Sequence, residues 1–461
     1  METGESLTVG SHTLGKRDML DTYDLVGVGF GPSNLSLATA LEEYAENHPD
    51  DPITATFFER QHSLGWHRGM LLPSAKMQIS YLKDLVTFRN PTSRLSFISY
   101  LHAKNRLALF VNNQDAYPTR KEFHDYLKWV ESHFSRWVTY SSQVSGIALP
   151  SGGAGRGPVD QVRVEVRNPS FPGGVRTVNA RNLVVSTGLA PKMPANVMRG
   201  RSVWHSSEFL HRFNERDPGS LQRVAVVGAG QSAAEIVRFL YDKLPHATVS
   251  AIIPSYGYSV ADDTPFANKV FDAGTVDEYY HGSQEAKDAI WNYHRNTNYA
   301  VADGDVIRDL HQRVYADELT GDQRLRMVNL SRVEGVRQTG DGARITILSK
   351  LNEQSYPLDV DVLVCATGYD AMDPTDLLGE LDAYCLRDRN GRYRVERDYR
   401  IVTTPELAVG IYLQGGTEHT HGLPSSLLSN MAIRSGEITD SVAAETKIPA
   451  RPEMAPALLT R

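Results

Sequence analysis

Two cysteines in 461 residues, Cys365 and Cys385, are too few for a disulfide scaffold. They stand twenty positions apart, so they form no close redox pair of the C-x-x-C kind, and dithiol chemistry is excluded. Cys365 lies inside an apolar run and reads as a small core residue. No apolar run reaches the length of a membrane span. A net positive charge is also lacking: 48 Lys and Arg against 55 Asp and Glu give a formal net charge of −7, which offers no sign of nucleic-acid binding. Met1 to Met19 lacks the apolar centre of a signal peptide and reads as a disordered tail, as do residues 446–461. A cytoplasmic protein with neither membrane nor nucleic-acid partner is expected.

What is present is ordinary for a globular enzyme, with 41% hydrophobic and 22% charged residues. The length exceeds one hydrophobic core and calls for two or three domains. Leu25, Val26 and Val28 read as a buried parallel strand, followed by Gly27, Gly29 and Gly31 and a helical pattern over 35–44. This is the strand–turn–helix that places a diphosphate at a helix N-terminus, with Pro32 where Gly or Ala is usual. Glu59 closes a second strand over 53–58, where an acid holds a ribose hydroxyl. A second unit follows: a strand over 224–227, the turn Gly228-Ala229-Gly230-Gln231-Ser232-Ala233, and a helix over 234–244. Two such units in one chain are far more specific than one.

One unit for FAD and one for a nicotinamide dinucleotide describe a flavin-dependent oxidoreductase. With the dithiol branch excluded, a monooxygenase remains, in which reduced flavin meets dioxygen. The expected fold is α/β, with two Rossmann-like dinucleotide-binding domains and a smaller, mostly helical substrate domain. Residues 20–195 and 363–445 are assigned to the FAD domain, 196–260 and 330–362 to the NAD(P)H domain, and 261–329 to the substrate domain. Helical periodicity is read over 96–106, 119–134 and 425–444, and a Pro-rich linker over 191–194. Gln78 is flanked by Met77 and Ile79, which suggests burial. Trp66 is read evenly as core packing or cofactor contact. Asp262 and Asp263 read as a turn and helix cap, and His419 with His421 lacks a third ligand, so no metal is expected.

The chain resembles the siderophore-type N-hydroxylating flavin monooxygenases, the ornithine and lysine N-monooxygenases, over roughly residues 20–445. The resemblance rests on Gly27 to Asn34, Lys76 to Ser80 with Lys83-Asp84, and Gly228 to Glu235. It rests also on Asp262 to Asn268, Thr297 to Tyr299, Ala366 to Tyr369 after Asp361, Pro374, Thr420 to Gly422, and Ser426 to Ser429. Cys365 stands where Leu or Phe is more usual. The Baeyer–Villiger oxygenases share two nucleotide units, but their linker motif does not fit Arg199 to His205.

The resemblance implies an FAD site formed by Gly27, Gly29, Gly31, Pro32, Glu59, Arg60, Trp66, His67, Met77, Gln78, Arg120, Val144, Thr367 and Gly368. Ser426, Leu427 and Leu428 would pack on the flavin. Ala229, Gly230, Gln231 and Ser232 would cradle the nicotinamide diphosphate, with Asn298 and Tyr299 near its ribose. Lys83 would take the substrate carboxylate, Asn268 and Ser429 would complete the amino-acid grip, and Lys269, Val270 and Phe271 would lie along it. Asn298 and Gln78 are the implied catalytic positions. The implied reaction hydroxylates the terminal amine of L-ornithine through a C4a-hydroperoxyflavin. L-Lysine or a diamine such as putrescine is the alternative, and so, from other classes, are a substrate-independent flavin oxidase or reductase and a non-catalytic flavin-binding regulator. Pro254 stands where the family often has an Arg on the NADPH 2′-phosphate, so NADPH is expected with weak discrimination against NADH. A dimer or tetramer is expected.

Overall fold

The computed structural model describes residues 20–150, 157–297 and 299–446. The expected tails, 1–19 and nearly all of 446–461, and Asn298 lie outside the described residues. Two five-stranded, all-parallel sheets form the two halves. In the first, the strands run in the order Gly410–Leu413, Asn182–Val185, Leu25–Val28, Ala55–Phe58, Val138–Thr139. In the second, the order is Val203–His205, Val362–Cys365, Arg223–Val227, Thr248–Ile252, Leu325–Val328. Central strands such as Leu25–Val28 and Val362–Cys365 are buried throughout, which accounts for their unbroken apolar runs.

The two halves repeat one plan. In each, the glycine-turn strand leads into a helix, Pro32–Asn47 or Gln231–Lys243. An antiparallel meander then precedes the strand on its other side: Gln143–Ala148, Val162–Arg167 and Val175–Ala180 in the first half, Ser331–Gln338, Ala343–Ser349 and Gln354–Val360 in the second. That strand ends in a small-residue turn, Ser186-Thr187-Gly188 or Ala366-Thr367-Gly368. The equivalence extends to single atoms. The N–H of Gly29 donates to Phe58 O and that of Ser186 to Val28 O; the N–H of Gly228 donates to Ile252 O and that of Ala366 to Val227 O.

The chain crosses between halves at Leu189–Pro191 and returns at Tyr369–Ala371, and these two segments pair antiparallel. The stretch 191–194, expected to be a plain linker, therefore starts as the end of a strand. His205 Nε2–H donates to Gly368 O at 3.0 Å, and Lys192 pairs with Asp370 at 2.8 Å.

Two boundaries differ from the sequence reading. Val362–Cys365 belongs to the second sheet, so the chain returns to the first half after it, not at 363. Leu325–Val328 is the edge strand of the second sheet, and the helix Gly304–Thr320 packs Val306 and Leu310 into the same core as Ile236. The helical insertion is thus about 261–297 rather than 261–329. It docks on the first half: Arg397 holds Asp277 at 2.6 Å, and Tyr280 donates its hydroxyl proton to Val395 O at 3.3 Å. Among the described residues no helix is long and apolar enough to cross a membrane.

The equivalent glycine turns generate a prediction. Gly29 has φ +85°, and a Cβ there would lie 2.4 Å from Ser186 O; Gly228 has φ +143°, and a Cβ would lie 2.3 Å from Ala366 O. Gly29→Ala and Gly228→Ala should each cost roughly 1–3 kcal/mol or more in denaturant unfolding. Gly29→Ala should also lower flavin content, while Gly228→Ala should spare it.

Candidate functional site

Both glycine turns open on one cleft of about 1990 Å³ between the halves and the helical insertion. That exceeds the roughly 300–1,000 Å³ of an ordinary small-ligand pocket. At the first turn Gly31 caps the helix Pro32–Asn47 without any side-chain hydrogen bond, and a Cβ on Gly31 would meet open space. The first-turn N–H groups therefore face room for an anion, at the positive end of the helix. Glu59, 7% exposed, ends the next strand; its Oε2 accepts from Phe30 N at 2.7 Å and its Oε1 from Gln61 N at 2.8 Å. The carboxylate pins the turn and retains lone pairs for a ribose hydroxyl. The residues present fit a dinucleotide here. At the second turn Gly230 likewise caps Gln231–Lys243 with no side-chain bond.

Of the sequence-predicted residues, Gly29, Gly31, Pro32, Glu59, Arg60, Trp66, His67, Met77, Gln78, Arg120 and Val144 line this cleft. So do Gln231, Ser232, Lys83, Asn268, Phe271, Leu427, Leu428 and Ser429. Trp66 serves both of its readings: it lines the cleft and packs against Phe123, with ring centroids 5.9 Å apart. His67 meets Trp66 and Tyr369 edge-on, and burial followed by the Arg120 charge lowers its pKa to about 4.

Other expectations are corrected. Gln78 is exposed to the cleft although its neighbour Met77 is buried, because the segment alternates faces. Gly27 lies inside the strand, where its missing Cβ makes room for the Phe57 ring. Ala229 and Val270 are core residues, Lys269 is exposed, and none of these, nor Gly230, lines the cleft. Thr367 and Gly368 serve the crossing: Thr367 Oγ1–H donates to Lys192 O, and Gly368 O accepts from His205. Tyr299 also stands off the cleft, its hydroxyl donating to Glu418 at 2.5 Å. Ser426 belongs to the turn Leu423–Ser426.

The part of the cleft lined by Lys83 is held by a buried carboxylate. Asp84 Oδ1 accepts from Val86 N and Thr87 N, and its Oδ2 accepts from Phe97 N and the Thr87 hydroxyl. Burial raises the Asp84 pKa, and these four bonds oppose that rise. They fix the loop that carries Lys83, which lines the cleft and forms no ion pair among the described residues. Asn268 donates its amide to Asp263 O at 2.7 Å, and Asp262 closes a turn on Thr264. Ser429 is 4% exposed, and its hydroxyl lacks a partner.

Two residues missed as site members tie the cleft together. Arg120 pairs with Glu235 at 2.9 Å, with side chains only 11% and 1% exposed. Gln231 Nε2–H donates to Glu235 Oε1 at 2.9 Å and to Asp303 Oδ2 at 2.7 Å, while its Oε1 accepts from Asp303 N. Asp303 Oδ1 in turn accepts from Gln78 Nε2 at 3.3 Å. Burial raises the Asp303 pKa, partly offset by these amide bonds. Gln231 thus spends its side chain on this network and offers a dinucleotide its backbone. The spacing Gln231 to Glu235, one helical turn, could have flagged Glu235; nothing local flags Asp303.

Cys365 and Cys385 are buried and absent from the cleft lining, and burial raises both thiols to about 12. Among the described residues no group of three His, Cys, Asp or Glu could hold a metal. Two glycine turns on one cleft, without a redox thiol, define an oxidoreductase of the two-dinucleotide class. The family model for L-lysine 6-monooxygenase/L-ornithine 5-monooxygenase matches residues 21–371. The chain belongs to that family. It is 41% identical to an L-ornithine N(5)-monooxygenase of Burkholderia cepacia, over 87% of this chain and 90% of that one. Among solved structures, an ornithine N-hydroxylase of Kutzneria sp. 744, KtzI with reduced FAD, NADP+ and L-ornithine, is similar at 60% identity and TM-score 0.88, covering 92% of this chain and 100% of that one. The ornithine hydroxylase PvdA of Pseudomonas aeruginosa follows at 34% identity and TM-score 0.85, with the same coverage. A bacillithiol disulfide reductase of Bacillus cereus, 14% identical, shares the fold.

Two predictions follow from these contacts. Arg120→Ala strands the Glu235 charge and should cost about 3–5 kcal/mol in urea unfolding, whereas Arg120→Met with Glu235→Leu should recover most of it. His421 is fully buried, accepts from Thr420 Oγ1–H at Nδ1 and donates from Nε2 to Arg397 O, and burial lowers its pKa to about 4. The unfolded imidazole titrates near 6.5 and binds the extra proton first. Stability should therefore fall as pH drops from about 6.5 to about 4, and His421→Gln should flatten that part of the pH–stability curve.

Proposed function

We propose that the protein hydroxylates the terminal amine of L-ornithine to N5-hydroxyornithine, using FAD, NADPH and dioxygen. The observation that carries the substrate assignment is a cation without an anion: Lys83 lines the cleft with no carboxylate partner among the described residues, and Asn268 and the unpartnered hydroxyl of Ser429 line the same cleft. A free α-amino acid supplies the missing carboxylate and the hydrogen-bonding amine. Bound FAD, once reduced by the nicotinamide, supplies the activation of dioxygen.

The chain's own residues do the rest. Gly29, Gly31 and Glu59 hold the flavin dinucleotide, and the start of the helix Gln231–Lys243 holds the second one. The network from Arg120 through Glu235, Gln231 and Asp303 to Gln78 ties the first half to the second beside the start of that helix. Lys83 fixes the substrate at its carboxylate, so the terminal amine is presented at a set distance. An alkylamine with pKa of about 10.4 must react neutral, and partial burial in the cleft disfavours its charged form. Pro254 ends the second strand of its unit without a guanidinium, and its carbonyl accepts from Lys350 Nζ at 3.3 Å. Lys350 is the cation that stands beside Pro254. Hydroxamate-type siderophore or related natural-product synthesis is the role such a product serves.

The substrate reading is tested by charge. Lys83→Ala breaks a partly desolvated contact worth about 2–5 kcal/mol and should raise the ornithine KM by 30-fold or more, roughly, while flavin reduction by NADPH changes little. Hydroxylamine product should be far greater for ornithine than for putrescine in the unmodified enzyme. Equal turnover of the two would discard the carboxylate grip and leave a diamine hydroxylase.

A further inference from the structure

The helix Met431–Thr446 packs against the first-turn helix and carries a charge buried behind the cleft. Arg434 is 2% exposed, among the largest fully buried side chains. Every hydrogen bond it makes is to a neutral group, and the carboxylate that acts on it through space is Glu437. Its Nη1 donates to Ser425 O, its Nε to Gln414 Oε1 at 3.3 Å and its Nη2 to Ser33 Oγ at 3.3 Å, and its guanidinium lies 5.9 Å from the Tyr399 ring centre. The carboxylate one turn along, Glu437, is held by both terminal nitrogens of Arg397 at 2.9 and 3.0 Å. No ion pair of Arg434 is formed among the described residues. Burial lowers its pKa, yet a guanidinium stays protonated in proteins.

A buried cation whose hydrogen bonds are all to neutral groups, and whose nearest carboxylate is already held by Arg397, is costly, and a further anion nearby lowers the cost. The partners of Arg434 show where that anion belongs. Ser33 is the second residue of the first-turn helix, and Gln414 follows the strand Gly410–Leu413; both line the cleft. Gln414 also donates to Ser33 O at 3.2 Å and to Asn34 Oδ1 at 2.8 Å, so the group is one rigid unit. The uncapped positive end of the helix and the buried guanidinium thus share one site of positive potential. Arg434 itself does not line the cleft.

We propose that Arg434 is the counter-charge for the FAD diphosphate, a positioning residue that acts through Ser33 and Gln414 rather than by contact. This rests on the reading that the first glycine turn holds FAD. In the absence of FAD the charge destabilises the fold, and FAD binding relieves it. A residue that merely bolted the helices together would have the opposite effect on the FAD-free chain.

The test uses the full chain stripped of FAD, with Arg434→Met and Arg434→Lys beside the unmodified protein. Flavin affinity is read by fluorescence quenching, NADP+ affinity by calorimetry, and stability by thermal melting. Arg434→Met should weaken FAD by about 10- to 30-fold, the loss expected of a charge that acts through space without direct contact. It should leave riboflavin, which has no phosphate, and NADP+ within about threefold. Its FAD-free form should melt no lower than the unmodified chain, and Arg434→Lys should keep most of the FAD affinity. Equal losses for FAD and riboflavin, or a lower melting point of the FAD-free Met variant, would overturn the proposal. If Arg434→Met does not fold, that lowered stability also counts against it. If the unmodified chain binds no FAD, the reading of the first turn fails instead.

Discussion

The structure depends on two backbone carbonyls that come where a side chain would otherwise stand. Ser186 O sits against Gly29, and Ala366 O against Gly228, each at a distance that only a missing Cβ allows. This approach sets each glycine strand beside its neighbour with the turn opening on the cleft. It also determines where the chain can cross, because Ser186 and Ala366 are followed at once by the segments that pair, Leu189–Pro191 with Tyr369–Ala371. Two halves built on one plan are thereby joined at equivalent points, and their nucleotide turns face a common space.

Within that space charge is placed with economy. The Arg120–Glu235 pair is buried, so its desolvation cost is large and its contribution to net stability small. Its value is geometric: it ties a helix of the first half to the second-turn helix, and Gln231 and Asp303 carry the tie onward to Gln78. Lys83 and Arg434 differ in forming no ion pair among the described residues. One lines the cleft, where we propose that it meets the substrate carboxylate; the other lies behind the first turn.

Local pattern made much of this legible. Both glycine turns, their strands and helices, and the buried role of Cys365 could be read because each depends on neighbours within a few residues. Gln78 could not: buried flanking residues were taken to imply a buried amide, whereas alternation sends it to the cleft. The edge strand Leu325–Val328 was placed in the insertion because its pairing partner, Thr248–Ile252, lies about seventy positions earlier. Asp303 and Arg434 were missed for the same reason, since their partners are brought to them by the tertiary fold. The role of Pro254 was legible only as an absence, and Lys350, nearly a hundred positions on, is the cation the fold supplies beside it.

The most direct measurement is the stoichiometry of the full reaction under ¹⁸O₂, comparing NADPH consumed with hydroxylated product formed from L-ornithine. The proposed reaction predicts close to one labelled N5-hydroxyornithine per NADPH, and little NADPH oxidation without the amino acid. NADPH consumption that is indifferent to ornithine and yields only peroxide would contradict the account.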